Sequence, residues 1–125
     1  MALAKELVGA GFSAGQAVAV GGQYAAVAAA GSAQTDATLL GAGMNMVTGA
    51  DGSTGVILPA AQPGDEIWVF NNAGSTLKVY PPSGAAITVG GSSVGSANTA
   101  FSQLTYKASL YKCFTSTQWV VITSV

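Results

Sequence analysis

The stretch "DEIWVFNNAGSTLKVYPP", residues 65–82, contains two apolar segments separated by a cluster of turn-forming residues. Side chains alternate between the two faces of a β-strand, so Ile67 and Val69 point to the same side of the first segment. Asn, Gly and Ser are the residues that turns favour. The stretch therefore predicts a β-hairpin in which Leu77 and Val79 are the cross-strand partners of Ile67 and Val69.

The other face of this predicted hairpin carries Glu66, Trp68 and Phe70 on its first strand, with Lys78 and Tyr80 on its second. Two interpretations are open for so apolar a second face. Either both faces are buried within one domain, or the second face meets another subunit. The centres of protein interfaces favour aromatic side chains and contain few charges. We therefore predict a subunit interface at Trp68, Phe70 and Tyr80.

The chain closes on a second predicted hairpin, "SLYKCFTSTQWVVITSV", residues 109–125. Lys112 indicates that its own face is partly in contact with water, so the opposite face belongs to the core. A single cysteine among apolar neighbours is typical of a buried small residue. The predicted core residues of this hairpin are Tyr111, Cys113, Trp119 and Val121.

Short segments rich in β-branched and aromatic residues continue through most of the chain, which is typical of an all-β sandwich or barrel. The dipeptide Asp51-Gly52 marks a turn between two of them, and all four prolines fall between segments, where no ladder hydrogen bond is lost. The predicted strands are Tyr24–Ala28, Gln34–Leu40, Met44–Val47, Gly55–Leu58, Glu66–Asn71, Thr76–Tyr80, Ala86–Val89, Ala100–Tyr106, Ser109–Thr115 and Gln118–Thr123.

The N-terminal stretch "LVGAGFSAGQAVA", residues 7–19, contains three glycines that a dinucleotide-binding turn could use, with Asp36 at the distance of a ribose ligand. Such a turn follows a buried apolar strand, but the residues before Gly9 include a lysine and a glutamate. Helix signals explain the segment better. Ser13 and Gln16 have the spacing of a capping box. We therefore predict a helical arm at residues 1–22 and a β-domain at residues 23–125.

Composition excludes several classes of function. Only 7% of the 125 residues are charged and the net charge is −1, so there is no basic patch to neutralise nucleic-acid phosphates. The most apolar stretch, residues 17–31, is shorter than the roughly 20 residues of a membrane span. A surface with so little charge is poorly protected against self-association. We expect neither a nucleic-acid nor a membrane partner, and we expect other subunits to cover much of the surface.

The absence of histidine excludes Ser-His-Asp and Cys-His nucleophiles and histidine-containing zinc sites. The five acidic residues do not form an obvious catalytic pair. The single cysteine cannot form an internal disulfide, which fits assembly in a reducing cytosol. We therefore predict that the chain is not an enzyme and has no catalytic, cofactor-binding or metal-binding residues.

Three stretches together resemble small structural proteins of tailed bacteriophages, in particular capsid decoration (cement) proteins. They are "ELVGAGFSAGQA", "ATLLGAGMNMVTGADGSTGVILPAAQPGDEIWVFNNAGSTLKVYPPSGAAI" and "YKCFTSTQW", and the resemblance is densest from Leu58 to Ile87. It implies a β-sandwich or jelly-roll-like domain that binds the major capsid protein as a homotrimer. The protein would lie on the outer capsid surface of the virion after assembly in the host cytoplasm. The same segments also resemble parts of tail-fibre or tail-spike modules, which would bind a host surface receptor.

The predicted arm supplies a second candidate contact. A pair of helices this short has little stability alone, so it should dock on something larger. We expect Leu3, Leu7 and Phe12 to anchor it to the capsid shell or to a neighbouring subunit.

Overall fold

The structure is a computed structural model that describes residues 24–41, 43–60, 62–89 and 95–124. This part of the chain contains ten strands and no helix. The predicted helical arm, residues 1–22, lies outside the described residues. The strands are β1 (Tyr24–Ala28), β2 (Thr38–Leu39), β3 (Met44–Thr48), β4 (Gly55–Ile57), β5 (Glu66–Asn71), β6 (Leu77–Tyr80), β7 (Ala86–Val89), β8 (Phe101–Gln103), β9 (Ala108–Thr115) and β10 (Gln118–Thr123).

The strands form two sheets that share one core. The six-stranded sheet has the order β1-β3-β5-β9-β10-β7, and the four-stranded sheet has the order β2-β4-β6-β8. Core residues come from both, for example Val69 and Trp119 from the first sheet and Val56 and Val79 from the second. The all-β prediction is confirmed, and the arrangement is consistent with a β-sandwich.

The first six strands wind between the two sheets as a coil. Successive strands alternate between the sheets, so β1, β3 and β5 pair in parallel in one sheet and β2, β4 and β6 pair in parallel in the other. Parallel neighbours need a crossover connection, and here a strand of the opposite sheet supplies it. A jelly roll is built from antiparallel strands, so the predicted jelly-roll topology is not confirmed.

The predicted hairpin of residues 65–82 is wrong in its pairing. β5 pairs with β3 and β9, whereas β6 pairs with β4 and β8 in the other sheet. The inward side chains of the two strands still belong to one core, but they come from opposite layers. The connection between the strands is therefore an arch across the layers rather than a turn within one sheet.

Asn71, at the end of β5, holds this arch. Its side chain is fully buried on the inward face, and its Nδ2 donates to the carbonyl oxygen of Ser75 at 2.9 Å and to that of Gln103 at 3.1 Å. The amide thus bonds the chain that leaves β5 as well as β8 of the opposite sheet. These hydrogen bonds stabilise the arch that carries the chain to the second layer.

The closing hairpin is confirmed. β9 and β10 are antiparallel, with Trp119 opposite Cys113 and Val121 opposite Tyr111. All four predicted core residues of this hairpin are fully buried.

Aspartate side chains form two of the turns between strands. Asp51 Oδ1 accepts hydrogen bonds from the backbone N–H groups of Ser53 and Thr54, and Gly52 has a φ of +96°, so the predicted turn is confirmed.

Four predicted strands have the observed bounds to the residue, namely Tyr24–Ala28, Glu66–Asn71, Ala86–Val89 and Gln118–Thr123.

The predicted strand Gln34–Leu40 is reduced to Thr38–Leu39. Its first part is a turn, in which Asp36 Oδ1 accepts the backbone N–H groups of Ser32 and Ala33. The predicted strand Ala100–Tyr106 is likewise reduced to Phe101–Gln103.

Candidate functional site

The outer face of the six-stranded sheet carries a row of large apolar side chains. The strand registers place one such residue from each of five neighbouring strands directly beside the next. Directly opposite residues project from the same face of a sheet. We call this set the Trp68 row, and it consists of Tyr24, Met44, Trp68, Leu110 and Ile122.

The Trp68 row is accessible in the monomer. Tyr24 is 58% exposed, Trp68 46% and Ile122 64%, whereas the inward neighbours Val69 and Tyr111 are buried. The alternative that β5 is buried on both faces within one domain is therefore wrong. Soluble monomers seldom expose contiguous apolar patches of several large side chains unless the patch is an interaction site.

A second row lies beside the first and adds a shallow hollow. Ala26, Met46, Phe70 and Ala108 are directly opposite one another on β1, β3, β5 and β9. The hollow has a volume of about 280 Å³, and its lining includes side chains of both rows, namely Tyr24, Met44, Met46, Trp68 and Phe70. Methionine side chains are flexible and polarizable, and they adapt readily to an aromatic or aliphatic partner.

On the other side of the Trp68 row lies an ion pair. Lys112 Nζ is 2.8 Å from Glu66 Oε1, and it also donates to the carbonyl oxygen of Gly64 at 3.0 Å. The two charges offset each other, so this pair adds no net charge to its side of the apolar face.

The structure brings together two of the three predicted interface residues. Trp68 and Phe70 lie on the same face of β5, as predicted. Tyr80 lies on β6 in the four-stranded sheet, where it continues a separate outward row with Leu39 and Ile57. We call these three residues the Tyr80 row; Leu39 is 66% exposed. The arch after β5 moves Tyr80 to the opposite side of the protein.

The remaining members of the Trp68 row, Tyr24, Met44, Leu110 and Ile122, are absent from the sequence-based interface prediction. The alternation that turns each of them outward is visible within its own strand. Their alignment depends on the pairing of distant strands, which alternation does not specify. The predicted arm residues Leu3, Leu7 and Phe12 lie outside the described residues.

Asp51 and Cys113 have pKa values that their surroundings shift. Backbone hydrogen bonds from Ser53 and Thr54 lower the pKa of Asp51 to about 2. Burial, with a smaller effect of the Asp65 charge, raises the pKa of the Cys113 thiol, which disfavours the reactive thiolate.

The described residues include no cluster of three or more His, Cys, Asp and Glu side chains that could hold a metal ion. The same part of the chain has no helix that is both long and apolar enough to cross a membrane.

No family model matches this chain, and no curated protein or solved structure is significantly similar to it. The basis for a functional proposal is therefore the surface itself.

Proposed function

We propose that this chain is a capsid decoration (cement) protein of a tailed bacteriophage. It binds the outer surface of the head as a homo-oligomer and stabilises the shell by bridging major capsid protein subunits. The observation that carries the proposal is the exposed Trp68 row, which lies on a sheet face of a chain with very little charge.

The chemistry of such a surface supports an assembly role. Burying apolar area contributes about 25 cal/mol per Å² before the costs of association are subtracted. The Trp68 row offers such area from several strands of one sheet, so the backbone that carries these side chains is already held in place by strand pairing. Many copies around a shell would add many small contributions. This role requires no catalytic group.

A bridging protein needs more than one contact surface, and the two outward rows supply them. The Trp68 row and Phe70 lie on the six-stranded sheet, and the Tyr80 row lies on the four-stranded sheet. We propose that the Trp68 side meets copies of this chain. The Tyr80 row and the arm anchors Leu3, Leu7 and Phe12 then contact the shell or a neighbouring subunit. The resemblance to decoration proteins implies three copies per assembly, whereas the geometry of the Trp68 side, argued in the next subsection, favours two. The mass of the protein in solution decides between these two numbers.

The proposal is tested by adding the purified protein to phage heads that lack decoration protein and measuring occupancy by cryo-electron microscopy. We expect density on the outer surface of capsomers. Deletion of residues 1–22 should lower occupancy, and undiminished binding would reject the role of the arm. Heads that remain undecorated by the full chain would reject the proposal.

The second candidate is a tail-fibre or tail-spike module that binds a host surface receptor. The observation that favours it is the shallow hollow beside Tyr24 and Trp68, because exposed aromatic rings also offer flat surfaces for a ligand. Fluorescently labelled protein would then bind host cells. In a phage particle it would lie at the tail and leave the head undecorated.

A further inference from the structure

We propose that the Trp68 face, defined as the outer face of the six-stranded sheet, packs against the same face of a second copy about a two-fold axis. The axis runs parallel to the strands, between β5 and β9. The inference rests on the self-association in the proposed function, with two copies in place of the three that the resemblance implies, but it does not depend on binding to a phage head.

The proposed axis passes over the middle of the six-stranded sheet. β1, β3 and β5 lie on one side of the line between β5 and β9, and β9, β10 and β7 lie on the other side. A two-fold axis along this line places β5 of one copy over β9 of the second copy, and β3 over β10. Because the axis is parallel to the strands, each residue faces the same cross-strand row in the second copy. Aligned sheets pack face to face about 10 Å apart in this manner.

The apolar rows are complementary to themselves under this operation. Trp68 and Leu110 are directly opposite each other on β5 and β9, so Trp68 of each copy faces Leu110 of the other. Met44 on β3 is in the same row as Ile122 on β10, so these two side chains also face each other across the axis.

The adjacent row combines a large side chain with a small one. Phe70 is directly opposite Ala108, so the two-fold axis places the Phe70 ring of each copy over the Ala108 methyl group of the other. Large side chains that face small ones interdigitate instead of colliding. A contact of this kind, in which residue i meets j and j meets i, is the defining property of a two-fold interface.

The charges of the third row fit the same axis. Glu66 on β5 is directly opposite Lys112 on β9, so each Glu66 faces Lys112 of the second copy. The two ion pairs within the chains then become a group of four alternating charges at the edge of the contact. Facing like charges would oppose self-association, and this axis brings none together in this row.

The area is sufficient for a weak dimer. Five large apolar side chains of this face are between 36% and 64% exposed. They are Tyr24, Met44, Met46, Trp68 and Ile122. With about 200 Å² for a fully exposed large side chain, the five present on the order of 500 Å² per chain. Two copies bury about 1,000 Å², the lower end of specific interfaces. We therefore expect a dimer that dissociates on dilution.

The first experiment measures mass in solution by light scattering over a range of concentrations. The full chain should reach twice the 12.3 kDa of one chain. Trp68→Ala should remain monomeric, and the matched control Tyr80→Ala, on the opposite face, should still dimerise. A full chain that stays monomeric at its highest soluble concentration would overturn the inference. So would any trimer, whether or not it depends on Trp68.

The second experiment uses charge reversal to separate the contact between copies from the ion pair within a chain. Glu66→Lys and Lys112→Glu each place like charges across the axis, so each variant alone should dimerise at least tenfold more weakly. Mixing the two places opposite charges across the axis at both positions, although the ion pair within each chain stays broken. Native mass spectrometry should then detect the mixed dimer in preference to either homodimer.

Lys78→Glu, which changes a charge on the other sheet, is the control and should dimerise like the unmodified chain. Failure of the mixed dimer to form, while the unmodified chain dimerises, would overturn the proposed axis. These masses are measured without phage heads. A Trp68-dependent dimer that ignores heads would therefore reject the decoration role and support this inference.

Discussion

The Tyr111 hydroxyl donates a hydrogen bond of 2.7 Å to Oε1 of Gln103 and thereby joins the two sheets inside the core. Tyr111 belongs to β9 of the six-stranded sheet and Gln103 to β8 of the four-stranded sheet. The amide nitrogen of Gln103 also donates to the carbonyl oxygens of Val69 at 2.9 Å and Lys107 at 2.8 Å. Gln103 is thus a buried polar connection between the layers.

We expect Gln103→Leu to lower the free energy of unfolding by about 3 kcal/mol, because it leaves a buried hydroxyl and two carbonyl groups without their partner. Tyr111→Phe removes only one of these bonds and should cost about 1 kcal/mol. Urea denaturation followed by circular dichroism measures both values. The matched control is Gln62→Leu at an exposed position. Equal stability of Gln103→Leu and the control would contradict this account.

Gly55 allows a close approach between neighbouring strands. A Cβ atom at this position would lie 2.5 Å from the carbonyl oxygen of Lys78 and 3.0 Å from the Tyr80 ring. Gly55→Ala should therefore lower the free energy of unfolding by about 2 to 3 kcal/mol through overpacking. Gly41→Ala is the control, because a Cβ atom there meets nothing within 4 Å. Thermal melts that shift equally for the two variants would refute the prediction.

The Asp51 turn predicts a loss of stability in acid. The pKa of Asp51 falls from 3.8 to about 2 in the folded chain, chiefly through the backbone hydrogen bonds from Ser53 and Thr54. A lowered folded-state pKa contributes stability that is present above the unfolded value and is lost as the pH falls through the folded value. The urea midpoint should therefore drop between about pH 4 and about pH 2. Asp51→Asn, which keeps an acceptor oxygen but does not titrate, should show a smaller drop.

Cys113 should be unreactive in the folded protein. The thiol is buried and donates to the carbonyl oxygen of Thr115 at 3.1 Å, and burial raises its pKa. We expect no reaction with a thiol-specific chromogenic reagent until the chain is unfolded in urea, because the reagent requires an accessible thiolate. Rapid labelling of the native protein would show that this site opens.

Strand positions were predictable from the sequence because they depend on local patterns. Local patterns located β5 and β10 to the residue. Alternation together with the charge of Lys112 identified the buried side of the closing hairpin. Pairing was not predictable in the same way. Alternation shows that a strand has two faces but not which strand lies beside it. The one available signal for the arch was Asn71, whose place in the alternation turns a polar amide inward, where it must find partners.

The candidate site follows the same division. The shared face of Trp68 and Phe70 was predictable, since both lie on one strand. Tyr80 was assigned to the wrong side because its position depended on the hairpin. Met44 and Ile122 were not predictable, because they are distant in sequence and reach one row only through β5 and β9. A surface row that depends on strand register is therefore visible only when the pairing of the strands is known.

The alternation of successive strands between the sheets has a mechanical consequence. Every connection from β1 through β9 passes from one layer to the other. The covalent backbone therefore joins the two layers at each of these connections. A load that pulls the sheets apart must act on the covalent backbone as well as on the packed core. Neither layer can separate from the other as an intact unit while these connections hold.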